Sequence, residues 1–368
     1  MKTIIILTIF FYRVTTKANE IEHYLSLAGG NRAQIEKAIE EVPSDQYDGM
    51  FWLLRHMPKD DLKTLPAEFL LENCSLAYKS LENIPWQSNI PKEIFFDAIL
   101  PYANLNERRD NWRSEFNKKF FPMVESSSSA YEAATILNKK IFNELGVIYS
   151  TNRPKADQSP YESIEAGMAS CTGLSILLID ACRSVGIPAR FIGTPMWYND
   201  SGNHSWVEIW DDGWNFTGAA EPTEDKLNNV WFSELASKAT KGDMKYGIFA
   251  VTWNNTNNYF PMDWLPEVQT YRSYDVTSRY AKKNLEYSLV PIRIKVLNQY
   301  GQRESADVVI KGQENFIFKG ISKDETFDSN DHLTIMLPPG KVFTIESGGD
   351  VKVVNVKSEQ VISLTLTN

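Results

Sequence analysis

Residues 170–190 read SCTGLSILLIDACRSVGIPAR, and residues 191–222 continue FIGTPMWYNDSGNHSWVEIWDDGWNFTGAAEP. The first stretch sets Cys171 where a polar run gives way to a helical period. Leu174, Leu177, Leu178, Ala181 and Cys182 mark one side, and Gly186 and Pro188 end the helix. Strand-like segments follow: ARFIGTPMWY, then HSWVEIW and WNFTGA, the last two joined by the turn DDG. A helix therefore precedes a sheet, with a cysteine at the head of the helix and a histidine, His204, at the head of an aromatic strand.

A cysteine at a helix N-terminus faces unpaired backbone N–H groups and the positive end of the helix dipole, which favour the thiolate nucleophile. Taken alone, such a cysteine is more often a small buried hydrophobe, and Cys182 and Cys74, both among apolar neighbours, are read that way. His204 sets Cys171 apart, because neutral imidazole can take the thiol proton and return it to a leaving amine. Turn chemistry supplies a third group. If Asp212-Gly213 is a two-residue hairpin turn, 211 pairs with 214 and 204 faces Glu221; a three-residue turn places Ala220 opposite instead. Glu221 could then hold one ring nitrogen and leave the other for Cys171. The oxyanion hole takes the backbone N–H of Cys171 and one more donor, with Gln158, Trp197 and Asn203 as candidates. Trp206, Trp210 and Trp214 read as hairpin packing, Trp197 as a possible cleft residue, and Arg190 as an ion-pair residue.

The cysteine opening a helix that ends in GIPAR, the histidine beginning an aromatic strand, and the acidic residue ending the next strand resemble the core of the transglutaminase-like superfamily. The resemblance is strong over 170–222 and extends to about 126–283. It implies a papain-like α+β core and thiol acyl transfer, as in transglutaminases, peptide N-glycanases and related bacterial cysteine hydrolases. It maps the nucleophile to Cys171 and the base to His204. Glu221 of the pair EP stands where the family usually has aspartate.

The chain has 368 residues, enough for two or three domains, and a net charge of −9. No basic, contiguous surface is available to neutralise phosphates, so a nucleic-acid partner is not expected. Three cysteines exclude a full disulfide framework. Cys171 and Cys182 share a helix face but sit ~16 Å apart along its axis, beyond disulfide reach. Neither CxxC nor HxxxH occurs, so any metal site would have to be assembled from scattered ligands; no metal and no cofactor are expected. Residues 1–18 read as a signal peptide, with a basic start, an apolar run from Thr3 to Tyr12 and small residues before a cut near Ala18–Asn19. No later segment approaches membrane-span length. Asn73, Asn199, Asn203, Asn215 and Asn254 all begin glycosylation sequons, and a glycan on Asn203 would obstruct His204. An active exported protein is thus expected in a bacterial periplasm or at the cell surface.

Around the core, 19–125 reads as a helical region, 126–283 as the transglutaminase-like domain and 284–368 as a β-sandwich of alternating runs such as PIRIKVLN and KVFTIES. ESSSSA, 125–130, is a hinge or helix start. ERRDNWR, 107–113, braces the cleft or forms a solvated helix face, and His332 in DSNDHL is a turn residue. Two functions are expected to compete. In the first, an enzyme uses Cys171, His204 and Glu221 on a peptide, protein or glycoconjugate, and a thioester is resolved by water or, in a cross-linking reaction, by an amine. In the second, motivated by the glutamate, a silent scaffold of the same fold binds peptide or glycan.

Overall fold

The computed structural model describes residues 20–281, 289–313 and 316–366; the signal-like start lies outside them. Helices α1 (20–28), α2 (Arg32–Glu41), α3 (Tyr47–His56), α4 (Lys59–Thr64), α5 (Ala67–Lys79), α6 (Lys92–Ala98) and α7 (Arg113–Val124) form the N-terminal part. In α5 the buried positions are Ala67, Leu70, Asn73, Cys74 and Ala77, the three- and four-residue steps of one helix face. They pack with Ile35, Met50, Leu53 and Leu100 into one core.

Helix α8 (Ala130–Leu145) begins where Ser129 accepts the Glu132 N–H, so 125–130 is a helix start. Gly146 ends it in a left-handed conformation, φ 67°. Strand β1 (Ile148–Tyr149) pairs in parallel with β2 (Met168–Ala169), and α9 (Pro160–Ala166) lies between them under a Ser159/Glu162 capping box. Helix α10 (Cys171–Ser184) is central. Every residue from Thr172 to Ser184 is buried, so the one-sided pattern expected of it is replaced by burial all round. The reason is position: α7, α8 and α9 pack on it from one side and the sheet from the other. Leu174, Ile176, Leu177, Leu178 and Ile179 each contribute about 1.5–3 kcal/mol by leaving water. Only Cys171, at the exposed end, is partly accessible.

The polar residues that α10 carries inside are matched by the segment before α7. Arg183 donates to the carbonyls of Ala98, Pro101, Ala103 and Ala189, and Asp180 accepts from Asn104. Arg113 donates to Asn73 and to the carbonyls of Ile99, Leu100 and Pro101, while Arg109 pairs with Asp61 at 2.9 Å. Residues 107–113 are thus only partly a solvated face: Arg108 and Asn111 are exposed, whereas Glu107, Asp110, Trp112 and Arg113 are buried. The buried groups are paired: Glu107 accepts the Asn104 and Leu105 N–H groups, Asp110 accepts the Tyr161 N–H, and Arg113 holds the carbonyls of residues 99–101.

Six antiparallel strands form the central sheet in the order β5-β4-β3-β6-β8-β7: β3 (Ala189–Thr194), β4 (His204–Trp210), β5 (Trp214–Thr217), β6 (Phe249–Thr252), β7 (Asn258–Tyr259) and β8 (Arg272–Asp275). Short helices α11 (Ser233–Ser237) and α12 (Thr277–Tyr280) pack beside it. Beyond them lie β9 (Val290–Leu297), β10 (Asp307–Lys311), β11 (Ile317–Ile321), β12 (Leu333–Leu337), β13 (Val342–Ser347), β14 (Asp350–Asn355) and β15 (Gln360–Thr365). They form sheets β11-β10-β13-β14 and β12-β9-β15 over a shared core that includes Ile292, Ile294, Val308, Ile310, Ile345 and Leu364. This is a β-sandwich, with β15 parallel to β9. The whole is an α+β architecture: a helix against an antiparallel sheet, helices before it and a sandwich after it.

Candidate active site

Cys171 is the first residue of α10. Ser170 caps the helix, its hydroxyl accepting the N–H groups of Thr172 and Gly173 at 3.1 and 3.2 Å and donating to the Ala156 carbonyl at 2.6 Å. One residue into the helix, Thr172 Oγ1 meets Ser205 Oγ at 3.1 Å, which pins the start of α10 to the start of β4. His204, opposite Thr194 in the β3–β4 ladder, is therefore set beside Cys171. Its imidazole is 1 % exposed and enclosed by Trp197, Trp206, Trp231 and Phe232, with ring centroids 4.7 to 6.0 Å away.

Glu221 reaches the ring by a different path from the two-residue turn. Trp210 pairs with Trp214 and Val207 with Thr217, so the hairpin turn has three residues, and the ladder ends before position 204. The reason lies at the turn: Asp211 N–H donates to the Gly213 carbonyl at 2.9 Å, and Asp212 takes φ 52°. The chain then bends through Gly218, Ala219 and Ala220, the last at φ 63°, and the bend returns Glu221 to the histidine. Asn138 on α8 fixes that bend. Its amide nitrogen donates to Thr217 Oγ1 at 3.0 Å and the Gly218 carbonyl at 2.9 Å, and its oxygen accepts the Ala220 N–H at 2.9 Å. Gly218 leaves room for the carboxylate, since a Cβ there would collide with Glu221 Oε2. The Trp231 indole N–H donates to the same oxygen at 2.8 Å, and Glu221 Oε2 lies 3.7 Å from His204 Nε2.

A second carboxylate lies on the other nitrogen, and sequence reasoning missed it. Asp328, from the segment between β11 and β12, places Oδ2 3.5 Å from His204 Nδ1. Cys171 Sγ, a His204 ring nitrogen and an Asp328 oxygen all lie within 4.8 Å of one another. Asp328 Oδ1 accepts the Asn330 N–H at 2.9 Å. Arg303 donates to the Asp328 carbonyl at 2.9 Å, the Ser329 N–H donates to Tyr149 Oη at 3.1 Å, and Asn330 Nδ2 donates to the Asn203 carbonyl at 3.3 Å. The sandwich thus holds one of its acids against His204.

At 3.5 and 3.7 Å both carboxylates act on the ring by charge rather than by short hydrogen bonds. Burial, the largest single influence, pushes the His204 imidazole down, but the Asp328 carboxylate, Cys171 and Glu221 together outweigh it. The ring holds its proton well above the ordinary histidine value. Burial also raises Glu221, to about 7, with His204 opposing and Asp328 adding. Asp328 goes the other way: burial acts to raise it, but His204 and Asn330 hold it below the usual carboxylate value. The arrangement therefore stores a proton between a buried imidazole and two acids, beside a partly exposed thiol.

The remaining sequence candidates resolve clearly. Gln158 spends its amide N–H groups on the carbonyls of Glu162 and Met168, at 3.2 and 3.0 Å, and is not free to serve as an oxyanion donor. Trp197 is 1 % exposed and packs against Trp206 and beside His204, its indole N–H buried without a partner. The side chain of Asn203 is turned to Asp263. Arg190 pairs with Glu208 at 2.6 Å inside the fold and covers the Trp214 ring at 3.7 Å, a structural role. Cys182 and Cys74 are fully buried; burial raises the Cys74 thiol to about 12 and the Cys182 thiol further. Asn73 is buried and bonded to Arg113 and the Leu100 carbonyl, so its sequon is closed to modification in the folded chain.

Residues 119–217 match the core model of the transglutaminase-like superfamily, and over that segment the chain carries a transglutaminase-like domain. The match includes Cys171 and His204 and stops before both acids. Among solved structures the chain is similar to a candidate cysteine protease from Cytophaga hutchinsonii (20 % identity, 30 % of this chain and 38 % of that one, TM-score 0.26). It is also similar to a candidate protease from Parabacteroides distasonis (9 % identity, 67 % and 37 %, TM-score 0.27). A third is red sea bream transglutaminase (10 % identity, 78 % and 59 %, TM-score 0.26). In each case the chain spans less than two thirds of the other protein's length. No curated protein matches the chain.

Proposed function

We propose that the chain is a thiol-dependent acyl-transfer enzyme that hydrolyses amide bonds of peptides or proteins. The observation that carries this reading is the meeting of a partly exposed thiol at a helix N-terminus with a buried, doubly acid-flanked imidazole. The Cys171 sulfur attacks the carbonyl carbon with its proton already held on His204. The tetrahedral oxyanion forms beside the Cys171 N–H, and His204 returns the proton to the leaving amine, giving a thioester that water resolves through the same histidine. Glu221 orients the ring at Nε2, and Asp328 holds the imidazolium charge at Nδ1. Export through residues 1–18 to a periplasm or cell surface belongs to the same proposal. Among the described residues no helix is long and apolar enough to cross a membrane.

The test is capture of the thioester. On rapid acid quench with an activated peptide ester, mass spectrometry should find one acyl group on the peptide that carries Cys171, and none in Cys171→Ala. Peptide turnover that survives Cys171→Ala contradicts the reading. Stable peptide binding by the wild type with neither adduct nor turnover would favour the silent scaffold instead.

A further inference from the structure

We propose that Cys171, His204 and Asp328 form a binding site for a thiophilic divalent cation, Zn2+ being the ion that fits, and that the bound ion reversibly blocks the thiol. The sequence holds no clustered ligand motif, but the fold assembles three ligand types from α10, β4 and the β11–β12 connection. Their donor atoms lie within 4.8 Å of one another. Tetrahedral zinc, with bonds of about 2.0–2.3 Å, sets its ligands about 3.3–3.8 Å apart. The His204 Nδ1 to Asp328 Oδ2 separation of 3.5 Å falls in that range. Cys171 is the one partly accessible residue of the three.

Two independent features point to a ligand here. The imidazole is 1 % exposed, yet neither ring nitrogen makes a close hydrogen bond: Asp328 stays 3.5 Å from Nδ1 and Glu221 3.7 Å from Nε2, longer than an ordinary hydrogen bond. The second concerns the far side of the ring. Metal-binding histidines usually give their other N–H to a carboxylate, which fixes the tautomer that ligates. Glu221 stands at Nε2 in that place, at 3.7 Å, and is itself held by Trp231. A cleft of about 380 Å³, bordered by Tyr149, Leu174, Glu221, Trp231, Phe327 and Asp328, opens onto both carboxylates that flank the ring. A thiolate and an imidazole select Zn2+ over Mg2+ or Ca2+, which take oxygen ligands. The site stands on these ligands alone; the consequence for catalysis rests on the function proposed above.

The experiment titrates the purified full chain with Co2+, then displaces it with Zn2+. One equivalent of Co2+ should give thiolate charge-transfer absorption and intense visible bands of tetrahedral coordination, with the former absent in Cys171→Ala. By calorimetry, Asp328→Asn should weaken Zn2+ by at least about tenfold, and Glu221→Gln by about 10–100-fold. One equivalent of Zn2+ should slow iodoacetamide labelling of Cys171 at least about tenfold, reversed by a chelator. Wild-type protein without a thiolate–Co2+ band, or Zn2+ that leaves Cys171 labelling unchanged, overturns the site without touching the thiol reading. A Cys171 inert to alkylation with or without metal overturns the thiol reading, and the Co2+ spectrum still decides the site. The wild-type spectrum and labelling need no variant, so a poorly folding Asp328→Asn leaves the outcome decided.

Discussion

The two carboxylates on His204 come from regions built on opposite plans. Glu221 sits in a bend that leaves the central sheet, and its position is set by neighbours in the same fold: Asn138, Gly218 and Trp231. Asp328 sits in a segment of the sandwich, held by Arg303 and Asn330 from its own unit and by Tyr149 across the gap. The first carboxylate is raised to about 7 by burial, and the second is held low by the imidazole it faces. The difference teaches that the carboxylates around His204 come from two structural units, so that the sandwich shapes the electrostatics of the imidazole.

The largest effects fall on what both acids serve. Cys171→Ala and His204→Ala should each lower peptide turnover by at least about 10³-fold, with Cys171→Ala leaving the melting temperature nearly unchanged. Next comes the orienting side. Glu221→Gln should reduce kcat by about 10²-fold with little change in KM. Gly218→Ala should do the same at almost no cost in stability, because the new methyl displaces only the carboxylate. Equal activity in Gly218→Ala and wild type would show that the position of Glu221 does not matter.

Asp328→Asn breaks the comparison from the other side. With the main charge favouring the imidazolium gone, the His204 value read by NMR of the ring should fall, and the pH profile of turnover should move with it. Glu221→Gln should move it less. Asn138→Ala, which frees the bend, should cost about 1–3 kcal/mol in denaturant unfolding and carry part of the Glu221→Gln loss.

The smallest effect is on stability against pH. His204 is raised in the folded chain, so its contribution is full below 6.5 and fades as pH rises through the folded value. Glu221, raised from 4.5 to about 7, acts in the same direction: it favours folding below 4.5 and loses that between 4.5 and 7. Asp328, held below 3.8, stabilises above that value and loses its contribution only as pH falls through the lower folded one. The melting temperature should therefore decline from mild acid towards pH 8, and Glu221→Gln should flatten the decline between 4.5 and 7.

What was legible in the sequence follows the range of the forces involved. Cys171 and His204 could be read because helix capping, strand alternation and the GIPAR ending are local. The glutamate could be named, but its register could not, because whether Asp211 joins the turn depends on a single backbone hydrogen bond to Gly213. Asp328 was hidden in DSNDHL, whose polar residues look the same in a solvated turn and in one pressed against a buried histidine. Only the docking of the sandwich distinguishes them. The same limit left ERRDNWR open between a brace and a solvated face, although Glu107, Asp110 and Arg113 within it are buried. The one signal that could have marked Asp328 is the lone Arg303 upstream, whose buried guanidinium needs the carbonyls of that turn.

The central claim is that Cys171 works with a histidine charged by two acids. Iodoacetamide alkylation of Cys171, followed by mass spectrometry from pH 5 to 9, tests it directly. The account predicts labelling at pH 6 at least about tenfold faster than for an ordinary exposed thiol, with the advantage lost in His204→Ala. A Cys171 that labels at the ordinary rate, and at the same rate in His204→Ala, contradicts it.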